Sequence, residues 1–208
     1  MVRRLLDLLV SGAALLLLSV PFLVFGILIR LTSKGPVFYR QPRIGRFGRP
    51  FLLYKFRSMR VDHTGPSVTA EGDSRITPIG AFIRRWKIDE LPQFWNAFRG
   101  EMSLIGPRPE RPFFVEQFEK GIPRYMERHK VKSGMSGWAQ VNGLRGDTSI
   151  SERLQYDLYY IENWSLWFDA KIIILTIFDI LSNIPVNKQP LKTAKDARNE
   201  NDKTVKKL

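Results

Sequence analysis

Two adjacent carboxylic acids, Asp89 and Glu90, lie in a basic stretch of the sequence, with Asp89 five residues after Arg84. Neighbouring acids can recruit Mg²⁺ while arginine side chains hold phosphate oxygens, and phosphoryl transfer requires that combination. Pro92 predicts a helix that starts at Asp89 or Glu90, because proline is tolerated in the first helical turn, and the free N–H groups of such an end bind phosphate. A helix cap formed by Asp89 beside a solvated Glu90 is the alternative, which this segment alone does not exclude.

A second candidate is the segment Pro107-Arg108-Pro109. Prolines on both sides restrict the backbone and leave Arg108 few orientations, so its guanidinium forms a preorganised fork for a phosphate or a carboxylate. A surface turn with an incidental arginine is the alternative. The third candidate is the glycine-rich segment 133–147, predicted to be a loop that closes over a nucleotide or a sugar, which contains Gln140, Asn142 and Arg145.

The first element that must position these groups is an uncharged stretch of 22 residues, 8–29, near the N-terminus. At about 1.5 Å per residue, this stretch is just long enough to cross a hydrocarbon core as a straight helix. A cleaved signal peptide is disfavoured, because the stretch is long and no small-residue cleavage site follows it. Pro21 near its middle and basic residues on both flanks fit a re-entrant helix whose two ends stay on the cytoplasmic face. Spanning and re-entrant arrangements both stay open on these grounds.

Basic residues outnumber acidic residues by 33 to 20 in the chain of 208 residues, which gives a formal net charge of +13. This excess predicts an anionic partner, such as nucleic acid, anionic lipid or a phosphorylated substrate. No acidic residue occurs between Asp7 and Asp62, so a basic run follows the apolar stretch and indicates a cytoplasmic membrane surface rather than DNA. The absence of cysteine excludes a disulfide scaffold, and two distant histidines do not make a zinc site.

The rest of the pattern predicts a β-hairpin followed by helices. Aromatic and β-branched runs separated by a turn rich in glycine and arginine predict the hairpin strands, at 37–39 and 51–56. Apolar periodicity predicts two helical pieces within 78–99, interrupted near Pro92. It predicts three more helices, at 110–119, 151–162 and 167–184. The last helix is strongly apolar but carries charges that favour an interfacial position over a membrane span, namely Asp169, Lys171 and Asp179. A polar loop is predicted at 62–77.

Five motifs follow one another in the chain order of a known family. They are Gly35-Pro36-Val37-Phe38-Tyr39-Arg40-Gln41, Lys55-Phe56-Arg57-Ser58-Met59, Asp89-Glu90-Leu91-Pro92-Gln93, Gly100-Glu101-Met102-Ser103-Leu104-Ile105-Gly106-Pro107-Arg108-Pro109 and Gly137-Trp138-Ala139-Gln140-Val141-Asn142-Gly143. On these motifs the sequence resembles the bacterial sugar transferases, also called monotopic phosphoglycosyl transferases, from the apolar N-terminus to about residue 184. The family's N-terminal segment is a re-entrant helix broken at a Ser-Pro pair, and this chain departs from it because Val20 separates Ser19 from Pro21.

The resemblance implies an enzyme that transfers a sugar-1-phosphate from a UDP-sugar to undecaprenyl phosphate, releases UMP and starts a lipid-linked glycan. By position, Asp89 is the nucleophile that forms a covalent phospho-sugar intermediate. Glu90 assists with Mg²⁺ and proton handling, so both acids are the expected metal ligands. Arg84 and Arg108 are expected to bind the diphosphate and nucleotide, and Arg145 a further phosphate. The matching motifs add four substrate-binding residues: Lys55, Arg57, Gln140 and Asn142.

The expected architecture is an α+β fold, mainly helical, with a small β-hairpin and amphipathic interfacial helices around a compact catalytic core. It divides into a re-entrant membrane helix at 1–34, a catalytic domain at 35–184 and a disordered tail at 185–208. The expected location is the cytoplasmic face of the bacterial inner membrane, with membrane lipid but no nucleic acid as a partner and with a homodimer left open. A membrane-anchored basic binding module without catalysis is the alternative function, and the sugar does not follow from the sequence.

Overall fold

The computed structural model describes residues 2–61, 73–146 and 148–182 of the chain. Within these ranges the fold is mainly helical, with two separate two-stranded sheets, which confirms the coarse fold class. The predicted tail at 185–208 and most of the predicted polar loop lie outside the described residues.

The N-terminal apolar stretch forms two helices, α1 (Val2–Leu17) and α2 (Ser19–Thr32), with a bend of 58° between them. In the ranges that the structure describes, no helix is by itself long and apolar enough to cross a membrane, and only α1 and α2 counted together reach that length and hydropathy.

The bend lies at Leu18, three residues before the predicted break at Pro21. A proline ring clashes with the carbonyl four residues earlier, which is that of Leu17, so the chain bends ahead of the proline. Pro21 itself fits into the first turn of α2, where its missing N–H leaves no bond unmade. The Ser19 hydroxyl donates a hydrogen bond to the Leu16 carbonyl at 2.7 Å, so a side chain satisfies a backbone carbonyl at the bend.

Helix α1 is fastened to the rest of the protein by polar side chains near its start. The buried Asp7 carboxylate accepts hydrogen bonds from the Ser103 hydroxyl at 2.8 Å and from the Leu104 N–H at 3.0 Å. Arg4 donates to two carbonyls at the end of the helix Gln93–Arg99, those of Ala97 and Phe98, at 2.7 Å each. The apolar N-terminal helix therefore holds fixed contacts with the elements that surround the acidic pair.

The predicted hairpin is confirmed, with antiparallel strands β1 (Phe38–Ile44) and β2 (Pro50–Phe56). Helix α4 (Gln93–Arg99) packs along β2, and its buried residue Asn96 bonds to that strand. Its amide donates to the Leu52 carbonyl at 2.7 Å and accepts from the Tyr54 N–H at 3.1 Å. These bonds place Lys55 of β2 beside the segment that precedes α4.

The segment 78–99 contains helix α3 (Pro78–Arg85), a 3₁₀ turn at Ile88–Glu90 and then α4. The prediction that Asp89 or Glu90 starts an α-helix is therefore wrong. The reason is Lys87, whose left-handed backbone (φ 56°) ends the α3 direction and begins a tight turn. The acids lie within that turn, and α4 begins only at Gln93.

The glycine-rich segment is not a loop, which corrects the prediction for 133–147. It forms strand β4 (Gly134–Ser136), parallel to β3 (Ser103–Ile105), and the short helix α6 (Trp138–Val141). Here two backbones approach so closely that a Cβ atom at Gly134 would lie 2.1 Å from the Gly106 nitrogen. A Cβ atom at Gly137 would lie 2.2 Å from the Gly106 oxygen, so this seam requires glycine.

Helices α5 (Pro112–Gly121), α7 (Ile150–Glu162) and α8 (Leu166–Ser182) confirm the three remaining helical predictions. A 3₁₀ segment at Tyr125–Lys130 connects α5 to β4. The main core lies between α6, α7 and α8 and consists of buried apolar residues that include Trp138, Tyr156, Tyr160 and Ile172. Much of the outer face of α8 is apolar and exposed.

Candidate functional site

A cavity of about 510 Å³ lies where the acidic turn faces β2, β4 and α8. One side carries the charged groups of the site: Lys55, Arg84, Lys87, Asp89, Glu90, Arg108 and Arg145. The other side is an apolar wall from α1 and α8 that includes Val10, Ile173, Ile177 and Ile180. The cavity therefore joins a charged region to an apolar surface.

Glu90 is held between two cations from different parts of the chain. Its Oε1 accepts hydrogen bonds from Lys55 Nζ at 2.7 Å and from Arg108 Nη2 at 2.6 Å, and its Oε2 lies 3.4 Å from Arg108 Nη1. These two cations hold the pKa of Glu90 well below its usual range, although burial opposes the shift. Glu90 is therefore a fixed anion that orients Lys55 and Arg108.

Asp89 differs from its neighbour, because within the described residues its carboxylate makes no hydrogen bond or ion pair. Burial, and after it the adjacent Glu90 charge, raises the pKa of Asp89 to about 6, while Lys55, Arg84 and Arg108 act in the opposite direction. At neutral pH the carboxylate is therefore mostly ionised, and its oxygens carry no partner in this part of the chain. Such a group is suited to nucleophilic attack.

Arg108 sits in a backbone segment that is fixed on both sides. The Pro107 carbonyl accepts a hydrogen bond from the Gly134 N–H, the Arg108 carbonyl from Arg128 Nη2 and the Pro109 carbonyl from Arg43 Nη1, each at 2.9 Å. Arg128 is itself buried against Asp157, with 2.7 Å between Nη2 and Oδ2. The alternative of an incidental surface arginine is thus wrong, since Arg108 lines the cavity and contacts Glu90.

A second charged cluster lies at another part of the cavity and involves Asp179 of α8. Asp179 Oδ2 lies 2.6 Å from Lys87 Nζ and 2.7 Å from Arg145 Nη1. Arg84, in the last turn of α3, also lines the cavity and has no ion-pair partner among the described residues. Together with Arg84, the two clusters place five cations at the cavity that Asp89 lines.

Seven of the nine predicted site residues lie together at this cavity: Lys55, Arg84, Asp89, Glu90, Arg108, Gln140 and Arg145. Arg57 does not, because its buried guanidinium donates to the carbonyls of Ser33 and Lys34, at 2.6 and 3.0 Å, and so holds the end of α2. Asn142 does not either, because its buried amide donates to the Trp138 carbonyl at 2.8 Å within the end of α6. The structure does not bring these two residues to the cavity, and the substrate-binding roles predicted for them stay predictions.

The acidic pair offers Mg²⁺ one carboxylate with free oxygens, that of Asp89. Mg²⁺ is commonly held by one or two carboxylates together with substrate phosphates and water. In the described parts of the chain, no group of three or more histidine, cysteine, aspartate or glutamate side chains could form a protein cage for a metal. Asp89 has unpartnered oxygens, whereas the oxygens of Glu90 already face Lys55 and Arg108. Asp89 is accordingly the better ligand of the two.

Sequence reasoning missed Lys87 and Asp179 as site residues. The sequence did contain a signal for Asp179, since it is one of the charged residues in the apolar segment 167–184. A carboxylate in a strongly apolar helix requires a partner. The identity of that partner depends on the fold, since Lys87 lies 92 residues away along the chain.

Comparisons with known proteins find related sequences over most of the chain. A family model described as bacterial sugar transferase matches residues 1–183. The chain is 47% identical over 182 residues to the UDP-glucose:undecaprenyl-phosphate glucose-1-phosphate transferase of Klebsiella pneumoniae. The matched region covers 85% of this chain and 39% of the relative. It is 46% identical over 185 residues to the UDP-N-acetylgalactosamine-undecaprenyl-phosphate N-acetylgalactosaminephosphotransferase of Aeromonas hydrophila, with 87% and 44% covered.

A further relative has a length closer to that of this chain. The exopolysaccharide production protein PSS of Rhizobium leguminosarum bv. phaseoli is 41% identical over 191 residues, with 86% of this chain and 95% of the relative covered. By contrast, the chain spans about two fifths of the length of the Klebsiella and Aeromonas proteins.

Proposed function

Because the chain belongs to the bacterial sugar transferase family, we propose that it transfers a sugar-1-phosphate from a UDP-sugar to undecaprenyl phosphate and releases UMP. The relatives named above act on different sugars, glucose and N-acetylgalactosamine, so the proposal leaves the sugar open. The reaction would be the first membrane step in the assembly of an exopolysaccharide, a capsule or an O-antigen.

One observation carries the proposal, namely that an unpartnered carboxylate lies among five cations in a cavity with an apolar wall. The cations suit a diphosphate, and the wall suits the hydrocarbon chain of a lipid phosphate. A soluble nucleotide-sugar and a lipid can then meet at the same carboxylate.

The reaction proceeds in two displacements on phosphorus. An Asp89 oxygen attacks the β-phosphorus of the UDP-sugar, and the bond from that phosphorus to the bridging oxygen breaks, so UMP leaves with the electron pair. A phosphate oxygen of undecaprenyl phosphate then attacks the same phosphorus and releases the Asp89 carboxylate. The covalent intermediate separates two polyanionic substrates in time, because UMP leaves before the lipid phosphate arrives.

The surrounding residues act on charge and orientation. Arg108 and Lys55, both oriented by Glu90, hold oxygens of the transferred phosphate in line with Asp89, and Arg84 contributes positive charge from α3. Asp89 would hold Mg²⁺, and the ion would neutralise the charge that develops on the leaving UMP.

We further propose that the protein sits on the cytoplasmic face of the bacterial inner membrane. The bent pair α1 and α2 is apolar, and its outer residues are exposed, as are Trp167, Phe178 and Leu181 on α8. Exposed apolar surface of this extent favours contact with lipid. The basic flanks of the pair favour a re-entrant path with both ends on the cytoplasmic side.

The covalent intermediate gives the decisive experiment. Incubation with a UDP-sugar in the absence of lipid acceptor should release UMP and add one phospho-hexose to the peptide that contains Asp89, as measured by mass spectrometry. Asp89→Asn should abolish the adduct and turnover, whereas Glu90→Gln should slow turnover and keep the adduct at Asp89. An adduct on Glu90 would reverse the two roles. A protein that binds UDP-sugar but releases no UMP with added acceptor would be the binding module instead.

A further inference from the structure

Asp179 is a carboxylate in an unfavourable place, on the strongly apolar helix α8 between Phe178 and Ile180. Its side chain is about one-tenth exposed. A carboxylate at such a position is costly unless it is paired with cations. Both of its partners, Lys87 and Arg145, line the cavity, whereas Asp179 does not line it. Asp179 therefore acts on the site through these two cations.

The pairing joins three separate parts of the chain. Lys87 belongs to the acidic turn, and its carbonyl accepts a hydrogen bond from the Glu90 N–H at 3.1 Å. Arg145 follows helix α6, and Asp179 belongs to α8. Lys87 and Arg145 have no other ion-pair partner within the described residues, so one carboxylate holds two cations at the cavity.

Asp179 does not use the full hydrogen-bonding capacity of its two cations. Both cations contact the same oxygen, Oδ2, at 2.6 and 2.7 Å, and the buried Nε of Arg145 has no hydrogen-bond partner within the described residues. Lys87 and Arg145 keep about one third of their side-chain surface exposed. A diphosphate has several oxygens and more negative charge, so it can bond both cations without sharing one atom.

We propose that Asp179 is a resident counter-anion that positions Lys87 and Arg145 and yields both cations to the diphosphate of the incoming nucleotide. The inference rests on the proposed function for the identity of that diphosphate. Asp179 is a positioning residue in this scheme, because it contacts neither substrate nor the reacting atoms. It competes with substrate for the two cations and keeps them in the cavity while the site is empty.

The test is the affinity for UDP and for inorganic pyrophosphate, measured by calorimetry on the full chain in detergent with Mg²⁺. Asp179→Asn keeps the shape of the side chain and removes the competing charge, so both ligands should bind about five- to tenfold more tightly. KM for the UDP-sugar should fall, and kcat should not rise. A purely structural role would weaken binding, the opposite direction. Asp179→Glu keeps the charge and should stay near the wild-type affinity.

Two controls isolate the pairing. Glu162→Gln removes one exposed negative charge from α7, outside the cavity, and should leave both affinities unchanged. In a background that carries Lys87→Gln and Arg145→Gln, Asp179→Asn should have no further effect, because the cations it competes for are gone. If Asp179→Asn does not fold, Asp179→Leu matches the apolar neighbours on α8 and should give the same tightening.

The outcomes separate this inference from the proposed function. Unchanged or weaker binding of UDP by both Asp179 variants, with turnover of UDP-sugar intact, would overturn the role of Asp179 and leave the function standing. Absence of UDP binding in the wild type, with tighter pyrophosphate binding in Asp179→Asn, would support the counter-anion and overturn the choice of nucleotide.

Discussion

Asp157→Asn is expected to destabilise the protein strongly, because it removes one half of a buried ion pair. Arg128 donates to Asp157 Oδ2 through Nε at 3.0 Å and through Nη2 at 2.7 Å. The side chains of Arg128 and Asp157 are only 3% and 2% exposed, so water cannot replace the lost charge. The variant therefore leaves a buried guanidinium without its counter-ion.

The size of the effect follows from that burial. Removal of one partner of a buried pair costs about 3 to 5 kcal/mol. For a chain of this length, about 1 kcal/mol corresponds to roughly 2 to 4 °C in melting temperature, so the expected decrease is about 6 to 20 °C. The remaining bonds of Arg128, to the Tyr125 hydroxyl and the Arg108 carbonyl, are between a cation and neutral groups and do not compensate for the charge.

Thermal unfolding in detergent, followed by circular dichroism, measures this decrease. Glu162→Gln is the matched control, because it also removes a negative charge from α7 but breaks an ion pair with Arg124 whose side chains are both more than half exposed. The control should melt within about 2 °C of the wild type. Equal melting temperatures for the two variants would refute the reasoning from burial.

A double variant separates stability from function. Arg128→Met with Asp157→Leu replaces the pair by apolar groups, and such exchanges are often neutral or stabilising. The melting temperature should recover, but the Arg108 carbonyl then lacks its donor. UDP should consequently bind more weakly than to the wild type although the fold is stable.

Three further predictions follow from the site and the core. Arg108→Lys should lower kcat/KM about tenfold or more, since an ammonium cannot form a two-pronged contact, whereas Arg57→Gln should lower the melting temperature and leave UDP affinity intact. Burial lowers the pKa of His129 to about 4. Its neutral form stabilises the fold fully above pH 6.5, so the free energy of unfolding should fall by about 3 kcal/mol between pH 6.5 and pH 4. The His129→Gln variant should lose less stability over the same pH range. Excess chelator should abolish turnover and Mg²⁺ restore it; full activity in chelator would contradict the metal's role.

The sequence predicted most of the site because its residues lie in short motifs with fixed local geometry. Asp89 and Glu90 occupy a tight turn shortly before Pro92, Arg108 lies between two prolines, and all three meet at one cavity as expected. Arg57 had the same residue type and an equally specific motif, yet it binds backbone carbonyls at the end of α2. A sequence does not show which backbone carbonyls a side chain will contact, so the structural role of Arg57 could not be predicted.

The error at segment 133–147 comes from contact between residues distant in the chain, whereas the error at the acidic turn comes from the left-handed backbone of Lys87. Segment 133–147 has the composition of a loop, because glycine disfavours strands, but its glycines permit a parallel pairing with β3 that a larger residue would prevent. Local periodicity, in contrast, correctly predicted α5, α7 and α8, whose apolar faces bury against the core.

The glycine seam at Gly106, Gly134 and Gly137 has a consequence for engineering this protein. Main-chain atoms occupy the space that new side chains would need there, so the glycines that hold the cavity residues Ile105, Met135 and Ser136 in place cannot be substituted. The apolar wall from α1 and α8 is made of side chains, among them Val10, Ile173 and Ile177, so substitutions there change its size and polarity. Under the proposed function, a library designed to change which lipid phosphate is accepted should therefore diversify this wall and keep the seam constant.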